Sequence, residues 1–177
     1  KLQYILDIVK NYNIKNKIRK NFKALESYNK RLDNNLAKVG CIVDMDVVKN
    51  VDPLLELIKY YSIRPENYIV LGYKRESEET HANGTPFLID KEINWQGKIR
   101  NSHADRLAEQ EYDLLINYFS EPKLPLLLLS SSIKAKLRAG FEGIGLQYND
   151  IVIACSPADE KVFANELKKI LETIIRK

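Results

Sequence analysis

A chain of 177 residues, 45% hydrophobic and 29% charged, has the length and balance of one domain able to bury a core. These values exclude a disordered chain, and the longest apolar run, Leu124 to Leu129, is interrupted by Pro125 and falls short of the ~20 residues that cross a bilayer. The formal charge of +4 is unevenly spread. Residues 1–35 hold nine Lys/Arg against Asp7, Glu26 and Asp33, a net of +6, and the remaining 19 basic and 21 acidic residues come to −2.

The first 31 residues read as helix, with a break expected near Asn11-Tyr12-Asn13. Ile14, Ile18, Phe22 and Leu25 recur at helical spacing and mark one apolar face, while Lys15, Lys17, Arg19, Lys20 and Lys23 fill the others. Leu2 to Val9 is brief, carries Asp7 and lacks a small-residue cleavage site, so it does not match a signal peptide. The chain begins on Lys1 rather than Met, which leaves room for an upstream piece. Leu32 to Ala37, with Asn34-Asn35, reads as the connection into the body. The expected division is therefore a basic helical arm over 1–35 and a single α/β domain over 36–177.

The body opens on Lys38 to Asp46, a β-branched apolar run closing on acids, as a buried strand of a parallel sheet does. Asp52 as N-cap and Pro53 at the first helical position introduce a helix with Leu54, Leu55, Leu57 and Ile58. Tyr68 to Tyr73 is a second strand, Lys74 to Pro86 an exposed loop turning at Asn83-Gly84, and Phe87 to Asp90 a third, short strand. Lys91 to Asn101 is irregular and contains Trp95, the only tryptophan, and a short helix covers Ser102 to Glu109. Tyr112 to Phe119 is the next strand, Pro122 to Ile133 a leucine-rich helix, and Lys136 to Phe141 a strand placed near an edge by its charges. Asp150 to Cys155 is the last strand, followed by a helix capped by Ser156 or Asp159. Strands alternating with helices predict an α/β, Rossmann-like fold, with a mostly parallel sheet of about five or six strands and helices on both faces.

Motifs with chemistry are scarce. Cys41 and Cys155 have no CxxC partner and read as reduced core cysteines, which fits a cytoplasmic protein. No GxGxxG or GxxxxGK[ST] occurs, and Gly140-Phe141-Glu142-Gly143-Ile144-Gly145 has the wrong spacing and reads as a flexible turn. His81 and His103 lack companions at ligand spacing, no GxSxG elbow supports Ser130 as a nucleophile, and no metal site or cofactor is expected. In an open α/β sheet the ligand crevice lies beyond the strand carboxyl ends, here around Asp44, Asp46, Lys74, Asn117 and Tyr118. Asp44 and Asp46 suit Mg²⁺ as oxygen ligands, and equally suit helix capping and solvation.

Three stretches are familiar as a set. Val39 to Asp44, Trp95 to Asn101, and Tyr112 to Tyr118 with Ser132-Ile133-Lys134-Ala135-Lys136 and Gly140 resemble an uncharacterised bacterial family. That family is a domain of unknown function of about this length with a basic N-terminal helix, and the resemblance implies no activity and no site residues. A weaker likeness, through the Tyr-Asp-Leu strand and Gly140-Phe141, is to the N-terminal half of heptosyltransferase-type glycosyltransferases, which implies only the Rossmann-like fold.

The strongest positive signal is the cluster Lys15, Lys17, Arg19, Lys20 and Lys23, which fits contact with RNA phosphates, ribosomal or otherwise. Lys98 and Arg100 beside Trp95 extend this candidate nucleic-acid surface by two cations and a ring, unless the tryptophan pins its loop to the sheet. Tyr12 and Tyr28 add stacking groups. The expectation is a non-enzymatic binding module. A small enzyme or nucleotide- or sugar-binding domain at the crevice is the alternative, and a peripheral membrane or assembly role for the arm the third.

Overall fold

Five apolar or small residues and a closing acid, all buried, make Val39–Asp44 (β1) a strand that must be covered on both faces and paired on both edges. The computed structural model, which describes residues 1–28, 32 and 35–175, meets both demands. Strand β1 runs parallel to Tyr68–Lys74 (β2) on one side and to Glu111–Tyr118 (β5) on the other. The remaining strands are His81–Ala82 (β3), Thr85–Ile89 (β4), Lys134–Phe141 (β6) and Ile151–Ile153 (β7). The sheet order is β3-β4-β2-β1-β5-β6-β7, parallel throughout except where β3 meets β4. Without that hairpin strand the order is the doubly wound Rossmann one, with the winding reversing direction at β1 and β5.

Side chains alternate across the sheet into two apolar layers. On one face Asp52–Tyr60 (α2) and Glu160–Ile174 (α5) bury Leu54, Leu57, Phe163 and Leu167 against Cys41, Val43, Ile116 and Tyr118. On the other, Leu2–Glu26 (α1), Ser102–Ala108 (α3) and Leu124–Ser131 (α4) cover Ile42, Leu71, Leu115 and Phe119. Ile14 and Ile18 of α1 belong to this second layer, so the expected apolar stripe is the docking face of the helix.

Several expectations change in detail. Helix α1 runs unbroken through Asn11-Tyr12-Asn13, because the Asn13 amide donates outward to the Trp95 carbonyl (2.8 Å) rather than competing for its own backbone. Lys30, Arg31, Asp33 and Asn34 lie outside the described residues. Helix α2 starts at Asp52 with Val51 as its N-cap, and the Asp52 amide donates to the Asn50 side chain. The Lys74–Pro86 stretch holds β3, whose hairpin to β4 turns at Asn83 and Gly84, both with positive φ as a type I′ turn requires.

Strand β6 lies near the edge as expected, one strand in. Strand β7 pairs with its second half, and Arg138 points inward rather than to solvent. Its guanidinium donates to the carbonyl of Ile133 and to the carbonyl and hydroxyl of Ser130, and lies over the Phe22 ring at 5.4 Å. Alternation suggests that Lys136 and Arg138 both point outward; Arg138 is held inside by the end of α4, a few residues back, and by Phe22 of α1.

Candidate functional site

The strand-end crevice is where the fold type directs attention first. Strand β1 delivers Asp44 there, buried, at the point where the winding reverses. One Asp44 oxygen accepts from the Asp46 amide at 3.2 Å, and the other is 2.7 Å from the Lys123 ammonium at the start of α4. Burial pulls the Lys123 pKa down, but the Asp44 carboxylate outweighs it and leaves Lys123 above the ordinary lysine value. A cation supplied by the chain thus occupies the position beside Asp44. Asp46, exposed, accepts from the Arg75 amide at 2.9 Å and so links the β1 and β2 loops.

The other crevice residues are dispersed. Lys74 lies over the Phe87 ring at 5.0 Å. Asn117 is fully buried on the α4 face, its amide donating to Asn149 at 2.8 Å. Tyr118 points to the opposite face, where its ring packs edge-on against Phe141 and Phe163 and its hydroxyl donates to the Pro157 carbonyl at 2.7 Å. Burial lifts the Tyr118 phenol far above its usual range. The fold therefore brings Asp44 and Asp46 together and sends Asn117 and Tyr118 to different layers. The Met45 side chain fills the space over Gly72, where a Cβ would lie 2.2 Å from its sulfur.

Elsewhere the titratable and nucleophilic groups are structural. Ser130 accepts from Arg138, and Ser131 and Ser132 both donate to the Leu128 carbonyl as α4 ends. His81 and His103, far apart in sequence, meet edge-to-face at 5.3 Å, yet the described residues contain no group of three or more metal-ligating side chains. Cys41 is fully buried, and loss of water pushes its thiol up to about 12, away from any reactive thiolate.

The outer surface of α1 has the opposite character. The Ile14–Ile18–Phe22 stripe faces α4 and the second apolar layer and turns Lys15, Arg19, Lys20 and Lys23 to solvent, with Lys17 at the margin. Among the described residues none of the five forms an ion pair; Arg19 donates only to the neighbouring Asn16. Lys15, Arg19 and Lys23 recur every fourth residue, so they rise in steps of about 6 Å along one side of the helix. They rim a groove of about 680 Å³ whose floor includes Phe22, Leu124, Leu127 and Tyr148, the rings of Phe22 and Tyr148 lying 5.0 Å apart.

On the other flank of α1 the loop after β4 comes into register with the helix. Gly97, at φ +79°, lies against the Ile14 backbone, where a Cβ would make an ordinary contact at 3.4 Å but in a left-handed backbone that side chains rarely adopt. Its neighbour Lys98 is exposed and lines a smaller cleft together with Lys17. Arg100 is exposed at the end of the same loop. Trp95 does not pin this loop through its ring, which is 57% exposed; its carbonyl, held by Asn13, performs that task. Tyr12, one turn from Asn16, is 65% exposed, whereas Tyr28 is half-buried with its hydroxyl donating to Glu111. Sequence reading found the cations on each stretch but missed their adjacency and the Tyr148 groove, which arise from contacts 80 or more residues apart in the chain.

A doubly wound parallel sheet with an ion-paired reversal point, flanked by a basic surface helix, defines a Rossmann-like α/β protein. The chain belongs to a family of unknown function, DUF6913, whose model matches residues 10–174. No curated protein and no solved structure matches it, and nothing in these comparisons supports the likeness to heptosyltransferase-type enzymes. No helix of the described residues is long and apolar enough to cross a membrane.

Proposed function

We propose that the protein is a binding module that holds single-stranded segments of RNA, ribosomal or other structured RNA, along the outer surface of α1. One observation carries this reading: Lys15, Lys17, Arg19, Lys20 and Lys23 share a docked helix, and no described carboxylate neutralises any of them. Cations held on a rigid element at regular rise suit the phosphates of one strand, and give affinity without base choice. The flanking rings argue for unpaired bases. Trp95 offers an exposed face on one side, and Phe22 with Tyr148 lines the groove on the other. Lys98 and Arg100 extend the basic strip from α1 onto the body.

Fluorescence anisotropy with a labelled single-stranded RNA, titrated at increasing KCl, tests the proposal. Five phosphate contacts on a single strand predict a log–log salt slope of about −3.5. Replacing the five α1 cations with alanine is expected to abolish that slope and most of the affinity. Salt-independent binding, or equal binding by this variant, discards the reading.

A further inference from the structure

Helix α1 has two halves, and only the second is docked. From Leu2 to Tyr12 seven large apolar side chains stand between 38% and 72% exposed. At these exposures they present on the order of 700 Å² of apolar surface, taking roughly 150–200 Å² for each large side chain in full. A typical monomer's largest apolar patch is about 300–600 Å², and a stable interface takes about 800 Å² from each partner. The patch is therefore larger than a free surface ordinarily carries, and about the size of one side of a complex.

The pattern within the patch specifies a helical partner. Leu2, Ile5, Val9 and Tyr12 follow the 3-4-3 spacing of a helix–helix seam, flanked by Leu6 and Ile8. The polar residues of these turns lie on the other side. Gln3 donates to Asp7 at 2.9 Å, and the Lys10 ammonium donates to the Asp90 carbonyl at 3.0 Å. The seam itself holds no charge, so it is complementary to an identical seam.

We infer that the first three turns of α1 pair with the same turns of a second copy, as an antiparallel two-helix contact about a two-fold axis midway between Ile5 and Val9. Ile5 of one chain then packs against Val9 of the other, and Leu2 against Tyr12. The direction follows from charge: parallel pairing would set the two Lys15–Lys23 stretches side by side, and antiparallel pairing sends them to opposite ends. An anionic membrane is the competing occupant. Interfacial helices carry a lysine-rich polar face, whereas Lys1 and Lys10 are the only cations in these turns and Asp7 stands between them. The inference does not rest on RNA binding.

Sedimentation equilibrium of the whole chain over ~1–100 μM tests it. The expected result is a mass rising with concentration from 20.5 kDa towards twice that value. Ile5→Glu with Val9→Glu should hold the mass at the monomer value over the whole range and melt as the native chain does when diluted to monomer, since both residues lie outside the core. A monomeric native chain at every concentration overturns the inference, as does a dimer that survives this double substitution. Flotation of the native chain with vesicles containing phosphatidylserine, combined with monomeric behaviour in solution, would assign the face to lipid instead.

Discussion

The crevice at the strand ends and the outer surface of α1 both carry charge, but of two kinds. At the crevice Asp44 has Lys123 at 2.7 Å and the Asp46 amide at 3.2 Å, and Asp46 has the Arg75 amide. On α1 five cations have no described carboxylate to meet. A charge with an internal partner is committed to the fold, and removing one side of the pair strands the other in a low-dielectric site. A charge without one contributes little to stability and is available to a ligand. In this molecule the place where the fold type ordinarily binds ligands is the committed one.

The comparison is broken most directly at Lys123. Lys123→Met leaves the Asp44 carboxylate buried without its cation and is expected to cost about 3 kcal/mol in urea unfolding. A loss below about 0.5 kcal/mol would show that the pair is not structural. The pH dependence of Lys123 has a definite sign. Because its folded pKa is raised, its contribution is complete below the ordinary lysine value of 10.5 and fades as pH rises through the folded one.

Cys41 adds a second alkaline effect from the interior. Its thiol is raised from 9.0 to about 12, so between these values the unfolded chain releases a proton that the folded chain keeps, and stability falls as pH rises. Cys41→Ala should flatten the dependence of unfolding free energy on pH in that window by about 1.4 kcal/mol per pH unit. An unchanged slope would mean that the thiol is hydrated.

Gly97 sharpens the comparison on the other side, where the loop meets α1. Gly97→Ala forces a side chain into a left-handed backbone against Ile14, and should cost about 1 kcal/mol and weaken RNA binding through the displaced Lys98. Trp95→Ala is expected to leave stability within about 0.5 kcal/mol of the native value, since the ring makes no described ring contact. It should weaken single-stranded RNA by about 1 kcal/mol in an anisotropy titration. Equal affinity would remove the ring from the surface.

Much of the fold was legible because its signals are local. The apolar run ending at Asp44, the Pro53 helix start and the Ile14–Ile18–Phe22 spacing each declare an element within a few residues. The N-terminal helix also announced its cations by composition. What stayed hidden depends on long-range partners. Arg138 reads as a surface cation until Phe22 covers it, and Asp44 reads as a candidate ligand until Lys123 reaches it. The two-residue β3 is set by its turn and its partner rather than by apolar pattern, and is too short to stand out. The free apolar face of α1 did leave a trace, since Leu2, Ile5 and Val9 fall off the stripe defined by Ile14 and Ile18.

The contrast between committed and available charge is tested most directly by measuring single-stranded RNA affinity and melting temperature on two variants together: one with the five α1 cations replaced by alanine, the other Lys123→Met. The first should lose RNA and melt as the native protein does, and the second should keep RNA at low temperature and melt earlier. RNA lost through Lys123→Met while the α1 variant still binds would contradict the account.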